Sequence, residues 1–361
     1  MNCLKTLSAR WNTILIMSKI IINGRFLIHR VTGVERYARE LVSALDKLVS
    51  PDEIEMAVPP ETEETPEYQN IGVHRIGRLR NQLWEHISFP AYVKKKNAVA
   101  LNLCNVAPLS RPDLVVVHDI KPVIHPEYYS KMFVLWYRIL YRNEMGRARY
   151  ILTGTRFAAK EIIRHYHVNP RRIILIPEGR EHFERITYDE GTLGRYGLKA
   201  GEFYFSLGSR DPGKNLTWIL KTAQADPGRV YAVAGNVNSQ VFSDVNTENV
   251  PANVHFLGYV SDEEAKTLMR DCRAFLFPTF YEGFGMPPLE ALSAGCRCIA
   301  VSDIPVMHEI FKDQAVYVDP FCPEAAAYKP VSNPESVLSR YSWEKSARRL
   351  LSLIRSIQDL P

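Results

Sequence analysis

The chain has 361 residues, of which 46% are hydrophobic and 24% are charged. This length suits two domains, and the composition excludes disordered, collagen-like and coiled-coil proteins. The net charge of +5 is uneven, because residues 1–180 carry +10 and residues 181–361 carry −5. The basic half indicates an anionic partner, such as acidic lipid head groups or a phosphorylated substrate. No nucleic-acid-binding signature accompanies it, so we expect no nucleic-acid partner.

The cysteines and the N-terminus bear on the compartment. The six cysteines show no CxxC pair and no metal-ligand spacing, which favours reduced thiols in the cytosol. No run reaches the roughly 18 apolar residues that span a bilayer. The N-terminus resembles a short signal peptide, but it lacks a small-residue cleavage site and a strand pattern begins at Lys19. We therefore expect a cytoplasmic protein whose residues 1–17 form an unstructured extension.

Short runs rich in β-branched residues alternate with amphipathic stretches along the whole chain. Such short apolar runs are typical of strands buried in parallel sheets. In the first half the predicted strands are Lys19–Asn23, Glu55–Val58, Val73–Ile76, Ala98–Leu103, Leu114–His118, Tyr150–Thr153 and Ile173–Ile176. In the second half they are Tyr204–Leu207, Val230–Ala234, Val254–Leu257, Ala274–Pro278, Cys298–Val301 and Val316–Val318. Helices are predicted between them, for example over Val34–Leu48 and Glu263–Asp271.

This alternation predicts an α/β protein with two Rossmann-like, doubly wound parallel-sheet domains that face a central cleft. The pattern weakens in a charged, glycine-rich stretch, which we take as the domain boundary. The expected units are an N-terminal domain (18–180), a linker (181–202), a C-terminal domain (203–342) and a closing helix (343–361). That helix has apolar residues at helical spacing and is expected to pack back toward the N-terminal domain.

Two loops of the second half carry candidate binding residues. In the first, Gly208 turns the chain after a strand, and Arg210 and Lys214 follow at the strand's C-terminal end. Two cations at such an edge suit a diphosphate, although a solvated surface loop would also explain them. A single motif of this kind leaves both interpretations open.

The second loop runs from Pro278 to Leu292. Gly283 and Gly285 permit close approach of the backbone to a ligand, and two prolines suit the first turn of the helix that follows. Backbone N–H groups at a helix start favour a negative group. We expect Glu282, before the glycines, and Glu290, in the first turn of the helix, to face the same point. Backbone amides that can bind phosphate, together with carboxylates that can accept from hydroxyls, indicate a site for a nucleotide sugar.

The segment from Glu282 to Glu290 resembles the E-x7-E motif of retaining glycosyltransferases with the GT-B fold, especially family four. The likeness is closest to bacterial polysaccharide-assembly, mannosyltransferase-like members. It extends over most of the chain and includes a glycine loop, a histidine after a strand, an Arg…Lys loop, a base-binding strand end and the start of a closing helix. The matching positions are Gly33, His118, Gly208–Asn215, Phe256–Val260 and Tyr341–Trp343.

This resemblance implies roles for individual residues. Arg210 and Lys214 would neutralise the leaving diphosphate, Glu282 would accept from sugar hydroxyls, and His118 would touch the transferred sugar. Glu290 would accept from the ribose. Together the implied catalytic residues are His118, Glu282, Arg210 and Lys214, and the implied donor-binding residues add Gly33, Tyr259, Val260, Gly283, Phe284, Gly285 and Glu290.

The chain departs from the family at two places. Glu178-Gly179 stands where the family usually has Asn-Gly, and Gly295 is followed by Cys296-Arg297-Cys298 where it usually has a Gly-x-Pro-Val step. The chain also has no Asp-x-Asp, so no metal ligands and no cofactor are expected. The donor substrate would be a nucleotide diphosphate sugar, transferred with retention at the anomeric carbon.

The acceptor is expected to meet the basic first domain. A basic, aromatic-bearing stretch supplies Arg75, Arg78, Arg80, Trp84, Lys94, Lys95 and Lys96, and the segment Lys131–Arg149 adds further aromatic and basic residues. Such segments bind anionic membranes, although a solvated helix face explains them nearly as well. A polyprenyl-diphosphate-linked saccharide at the inner face of the cytoplasmic membrane would need such a surface.

The sequence therefore favours a retaining, metal-independent hexosyltransferase that builds surface polysaccharide such as O-antigen. The carboxylates specify neither base nor sugar, and the resemblance favours GDP-mannose slightly over UDP-hexoses. The alternatives are a GT-B phosphorylase or epimerase, or a non-catalytic subunit that binds a nucleotide sugar. A dinucleotide dehydrogenase is excluded because no G-x-G-x-x-G follows any strand.

Overall fold

The computed structural model describes residues 19–207, 211–235, 250–324 and 328–358. Its N-terminal part is built on a seven-stranded sheet whose pairings are all parallel. The strands stand in the order β3-β2-β1-β4-β5-β6-β7. They are β1 (Ile20–Asn23), β2 (Ile54–Val58), β3 (Gly72–Arg75), β4 (Val99–Asn102), β5 (Leu114–Val116), β6 (Tyr150–Thr153) and β7 (Ile173–Leu175).

The C-terminal part is built on a six-stranded parallel sheet in the order β10-β9-β8-β11-β12-β13. Each of the thirteen predicted runs overlaps a strand of one of the two sheets. The predicted α/β class, with two doubly wound parallel sheets, is therefore confirmed. The strands are β8 (Phe203–Leu207), β9 (Val230–Ala234), β10 (Val254–Gly258), β11 (Ala274–Phe277), β12 (Ile299–Ser302) and β13 (Val316–Val318).

Helices connect the strands of both sheets, and local sequence signals begin several of them. Thr32 with Glu35, and Ser261 with Glu264, form capping boxes. A π-helical turn, Trp84–Ser88, joins α2 to α3. The helices are α1 (Gly33–Asp46), α2 (Asn81–Leu83), α3 (Phe89–Lys95), α4 (Lys121–Ile124), α5 (Lys131–Arg147), α6 (Arg156–Tyr166), α7 (Glu181–Arg185), α8 (Thr192–Arg195), α9 (Leu216–Ala225), α10 (Asp262–Asp271), α11 (Met286–Ser293), α12 (Pro305–Phe311), α13 (Glu335–Leu338) and α14 (Trp343–Gln358). Within the described ranges, none of the helices is long and apolar enough to cross a membrane.

Helix α14 follows the second sheet along the chain but packs against the first. Its Trp343, Leu350 and Ile354 lie in the same apolar cluster as Ile20 and Leu41 of the first domain. Ion pairing adds to this packing, because Arg355 contacts Glu53 before β2. The C-terminal helix therefore ties the two halves together.

Polar contacts between helices join the two domains across the cleft. Arg36 of α1 donates to both carboxylate oxygens of Asp262, at 2.9 and 2.8 Å. Glu309 of α12 accepts from the first two backbone N–H groups of α6, at 2.8 and 2.9 Å. That carboxylate satisfies helix N–H groups that would otherwise lack partners. Helices of the two domains are thus joined directly by side-chain hydrogen bonds.

Candidate active site

The loop after β8 presents Lys214 to the cleft. A single 3₁₀ turn spans Pro212–Lys214, and the Asp211 side chain caps it by accepting from the Gly213 N–H at 2.8 Å. Asn215 follows with a left-handed φ of 57°. Its buried side-chain amide donates to the carbonyls of Pro278 and Pro320, at 2.9 and 2.8 Å. Asn215 thereby fixes this loop to the loop that follows β11.

Because the two loops are joined by Asn215, Lys214 of one loop lies next to Glu282 of the other. The Lys214 ammonium donates to Glu282 Oε1 at 2.8 Å and lies 4.7 Å from the centre of the Phe277 ring. Both side chains are mostly buried. The predicted cation and the predicted sugar-binding carboxylate are therefore neighbours. Gly208 and Arg210, the other predicted members of this loop, lie outside the described residues.

The glycine turn after Glu282 is where the two domains touch. A Cβ on Gly283 would lie 2.3 Å from the backbone oxygen of His118, which no real structure tolerates. The Gly283 carbonyl also accepts from the Thr155 hydroxyl of the first domain at 2.8 Å. Gly285 has a φ of 111°, a conformation that side chains rarely adopt, and it caps α11. Phe284 is buried between them and packs edge-on against Tyr341.

Glu290 is held by a chain of hydrogen bonds that the sequence did not indicate. It is the fifth residue of α11, so it lies one turn deeper than predicted. The buried His182 bonds through Nε2 to Glu290 Oε1 at 2.8 Å, and the Trp343 indole donates to His182 Nδ1 at 3.0 Å. Because an indole N–H can only donate, Nδ1 must be the acceptor and Nε2 must carry the hydrogen. Glu282 and Glu290 thus have different partners, Lys214 and His182.

His118 follows β5, and its ring is buried. Nε2 lies 3.2 Å from the Leu103 carbonyl, which can only accept, so Nε2 carries the hydrogen and Nδ1 is left as an acceptor. Its backbone N–H donates to Asn105 Oδ1 at 2.7 Å, and its ring packs edge-on against Tyr37. Burial lowers the pKa of His118 to about 4, although the bond to Leu103 opposes this. The imidazole is therefore neutral at pH 7.

Glu178, which stands where the family usually has Asn, is a buried carboxyl near Glu282 and Glu290. It is 7% exposed, and its Oε2 has no hydrogen-bond partner among the described residues. Burial, followed by the charges of Glu290 and Glu282, raises the pKa of Glu178 well above its usual value. A carboxyl in that environment is held in its protonated form.

Three further predicted donor residues lie along the cleft edge. Gly33 begins α1, and a Cβ there would meet open space. Tyr259 is 68% exposed, and the Arg30 guanidinium of the first domain stacks 4.6 Å from its ring centre. Val260 is buried in the core of the second domain, so only its backbone can face a base.

The predicted acceptor residues divide into exposed cations and a buried aromatic. Trp84 does not belong to the surface, because it is fully buried and its indole donates to the Ile76 carbonyl at 2.9 Å. It packs with Phe89 in a core cluster beneath the first sheet. The exposed residues are Arg75, Arg78, Arg80, Lys94, Lys95 and Lys96.

Several residues of this site were missed by sequence reasoning. Glu178, His182 and Thr155 reach the cleft only through tertiary folding, and a lone polar residue after a strand carries no distinguishing signal. Arg36 was detectable in principle, since it follows the predicted glycine loop by one helical turn. In the part of the chain that the structure describes, no cluster of three His, Cys, Asp or Glu side chains could hold a metal ion.

Part of the chain matches a known protein family. Residues 197–329 match the model of the glycosyl transferases group 1. The matched region contains Lys214, Glu282 and Glu290, the residues gathered at the second-domain side of the cleft.

Relatives match far beyond that region. The O-antigen chain mannosyltransferase RfbU of Salmonella typhimurium is 26% identical over 345 residues, which cover 90% of this chain and 94% of the relative. The O-antigen chain mannosyltransferase B of Escherichia coli is 24% identical, over 84% of this chain and 87% of the relative.

Solved structures share the fold at lower identity. A sucrose-phosphate synthase of Thermosynechococcus elongatus superposes with a TM-score of 0.72 at 16% identity, over 94% of this chain and 99% of that one. HepE of Anabaena, solved with UDP and glucose, superposes with a TM-score of 0.68 at 13% identity, over 94% of this chain and 100% of that one. WaaG, described as a glycosyltransferase involved in lipopolysaccharide biosynthesis, superposes with a TM-score of 0.62 at 16% identity, over 94% of this chain and 98% of that one.

Proposed function

We propose that this chain transfers mannose from GDP-mannose, with retention, to a saccharide of surface polysaccharide. The premise is a glycosyltransferase of GT-B fold whose residues 197–329 match the model of the glycosyl transferases group 1. The observation that carries the proposal is the Lys214–Glu282 pair at the C-terminal ends of the second sheet's strands, with the buried Glu290 on the helix that follows the Glu282 loop. A cation for phosphate and two carboxylates for hydroxyls match the chemistry of a nucleotide sugar. The O-antigen mannosyltransferases that align with most of the chain support the choice of sugar.

The Lys214–Glu282 pair is the part of the site that changes when the donor binds. In the proposal, the diphosphate replaces Glu282 as the partner of Lys214, and Glu282 becomes free to accept from sugar hydroxyls. Lys214, with Arg210 on the same loop, then stabilises the charge that develops on the leaving phosphate. The acceptor hydroxyl attacks from the leaving-group side, and the leaving phosphate takes its proton.

His118 contributes shape and a backbone dipole in this scheme. Its ring is neutral and its carbonyl oxygen faces the Gly283 turn, so the carbonyl can stabilise positive charge at the reacting carbon. Lysine and arginine meet the phosphate charge, and we propose that transfer needs no divalent metal. Glu290, kept in place by His182 and Trp343, accepts from the ribose.

The acceptor side of the proposal rests on one face of the first domain. We call this the α5 face; it combines exposed apolar side chains with exposed cations from α5 and from the segment around the π-helical turn. The two segments are neighbours, because the Trp136 ring of α5 lies 5.7 Å from the His86 ring of that turn. Apolar and cationic groups on one face bind anionic lipid surfaces. We propose that it holds the protein to the inner membrane leaflet, where polyprenyl-diphosphate-linked acceptors are found. Its members are Arg78, Arg80, Leu83, Ile87, Lys131, Met132, Leu135, Arg138, Ile139 and Arg142.

The donor proposal is tested by thermal stabilisation with GDP, UDP, ADP and dTDP in parallel. GDP is expected to raise the melting temperature most, because a ligand at 100 times its Kd adds about 2.7 kcal/mol to the free energy of unfolding. A larger shift with UDP would overturn the choice of GDP. Failure of all four nucleotides to stabilise the protein would overturn the nucleotide-sugar site itself.

A further inference from the structure

Residues 211–214, which we call the phosphate turn, are held at both ends by ion pairs. At the C-terminal end Lys214 pairs with Glu282, which belongs to the second domain like the turn itself. At the N-terminal end Asp211 pairs with Lys121, the first residue of α4 in the first domain. The second pair joins residues 90 apart in the chain, so it forms only through the arrangement of the two domains.

Lys121 is buried to a degree that is unusual for a lysine. The residue is 7% exposed, and lysines are almost never buried so far unless their charge is paired. Its backbone N–H donates to Asp119 Oδ1 at 2.8 Å, which holds the first residue of α4 in place. Its ammonium lies 5.6 Å from the centre of the Tyr128 ring. The local structure of the first domain thus holds a side chain that reaches into the second.

Asp211 uses its two carboxylate oxygens for two different contacts. Oδ1 accepts from the Gly213 N–H at 2.8 Å and caps the 3₁₀ turn, and Oδ2 accepts from the Lys121 ammonium. Charge-assisted hydrogen bonds at both oxygens fix the orientation of a carboxylate. The same side chain therefore sets the shape of the phosphate turn and joins the turn to the first domain.

Gly213 leaves the space that the Lys121 ammonium occupies. A Cβ on Gly213 would lie 2.4 Å from Lys121 Nζ and 2.8 Å from Lys121 Cε. The Gly213 carbonyl accepts from the Phe280 N–H at 2.9 Å, which bonds the turn to the loop after β11. The phosphate turn thus packs directly against Lys121 and is bonded to the loop that carries Glu282.

Stability alone explains the Lys121–Asp211 pair poorly. The cost of removing two charges from water offsets most of the attraction in a buried ion pair, so such a pair adds little to the free energy of unfolding. A buried pair does fix the relative positions of the two segments that it joins. Here those segments are the start of α4 and the turn whose last residue, Lys214, is assigned to the diphosphate.

From these contacts we propose that Lys121 is a positioning residue of the donor site, which holds the phosphate turn in its diphosphate-binding geometry through Asp211. The inference rests on the donor site proposed above and deepens it. Lys214, the cation assigned to the diphosphate, belongs to the second domain, and the residue that places its turn belongs to the first. Lys121 acts through Asp211 and makes no contact with the donor itself.

Hydrogen exchange of the full chain without ligand tests whether Lys121 holds the turn. The probes are the amides of Gly213, Lys214 and Asn215, which donate to Asp211 and Pro212. Lys121→Met keeps an unbranched side chain and removes its charge, and it should speed exchange at these amides at least about tenfold. Lys160→Met, at an exposed lysine on α6 of the same domain, is the matched control and should leave the rates unchanged.

A double-mutant cycle on nucleotide binding separates positioning from direct contact. Asp211→Asn keeps the turn cap, because asparagine caps as well as aspartate, and removes the charge that pairs with Lys121. Titration calorimetry uses whichever of GDP, UDP, ADP and dTDP binds the wild type most tightly. Each single variant should weaken its binding about tenfold, and Lys121→Met/Asp211→Asn should also weaken it about tenfold and not about 100-fold, because both changes remove one interaction.

The proposal is overturned if Lys121→Met exchanges or binds as Lys160→Met does. It is also overturned if the losses of the single variants add in the double variant, since Lys121 would then contact the nucleotide itself. If a single variant fails to fold, the double variant decides, because wild-type exchange and binding there would equally contradict the proposal. If no nucleotide binds the wild type, the proposed function is wrong, and the exchange rates still decide whether Lys121 holds the turn.

Discussion

At the scale of single residues, Lys214 carries the electrostatic part of the proposed chemistry. It is paired with Glu282 at 2.8 Å and packed against Phe277, so its ammonium is held at one point of the cleft. A preorganised cation stabilises the developing charge of a leaving diphosphate without having to reorient.

Lys214→Ala is therefore expected to lower kcat about 100-fold or more. Steady-state release of nucleotide from the sugar donor measures the effect. Lys221→Ala is the matched control, because Lys221 is an exposed lysine on the next helix and should leave kcat unchanged. Near-wild-type turnover by Lys214→Ala would contradict the assignment of this loop to the diphosphate.

A second prediction at this scale concerns Glu178. Its pKa is raised, so the folded state favours the protonated form and loses stability as the pH rises above the ordinary value of 4.5. Glu178→Gln keeps the shape without the charge. We expect the variant to melt at least about 2 °C higher than the wild type at pH 8, with a difference that shrinks toward pH 4.5.

Melting curves between pH 4.5 and 8 test this directly. Glu63→Gln, at an exposed position outside the helices, serves as the control for a lost surface charge and should give a difference close to zero throughout. A Glu178→Gln difference that stays constant or falls with pH would show that the wild-type carboxyl is not held in its protonated form.

At the scale of elements, the turn before α11 couples the two domains. Gly283 abuts the His118 carbonyl, and its own carbonyl accepts from the Thr155 hydroxyl, so both partners come from the first domain. A side chain at this position would push the domains apart and separate the donor loop from the first domain. Misplacement of reacting groups by about 1 Å can cost about 100-fold in rate.

Gly283→Ala is accordingly expected to lower kcat about 100-fold while the far-ultraviolet circular dichroism stays that of the wild type. Gly194→Ala in α8 is the control, because a Cβ there meets nothing within 4 Å. Full activity of Gly283→Ala would mean that closure at this turn is not required for transfer.

The elements also show what a sequence can and cannot predict. The apolar runs in the sequence predict each of the thirteen strands that the structure describes, because buried parallel strands are continuous apolar runs, such as Ile20–Asn23. Motif spacing brought Lys214 and Glu282 to one cleft, because both follow strands of the same sheet. The His182–Glu290 hydrogen bond joins residues 108 apart in the chain, so local sequence patterns do not predict it. The basic residues around Trp84 in the sequence predict a surface position for it, whereas its side chain points into the core.

At the scale of the whole molecule, the uneven charge of the sequence corresponds to two domains with different charged surfaces. The second domain holds the carboxylates of the proposed donor site. The first domain carries the α5 face, with its cations and exposed apolar side chains such as Met132, which is 75% exposed. Apolar burial and attraction to anionic lipid add together at such a face, and salt weakens the second term.

Co-sedimentation with vesicles of mixed zwitterionic and anionic phospholipid tests this arrangement. Binding is expected at low salt and should weaken severalfold as ionic strength rises. Ile139→Glu, which adds a negative charge to the α5 face, should reduce binding about tenfold, whereas Phe321→Glu, at an exposed site of the second domain, should not. Equal binding by both variants would place the membrane surface elsewhere.

The central claim is retaining mannosyl transfer from a nucleotide sugar, and NMR of the product tests it most directly. Purified protein is incubated with GDP-mannose, a mannose-terminated oligosaccharide and EDTA, and the anomeric signals of the product are followed. Because GDP-mannose is an α-glycoside, the account predicts a new α-linked mannose that forms without divalent metal. A β-linked product would contradict retention, and no transfer or hydrolysis of any sugar nucleotide would contradict the account as a whole.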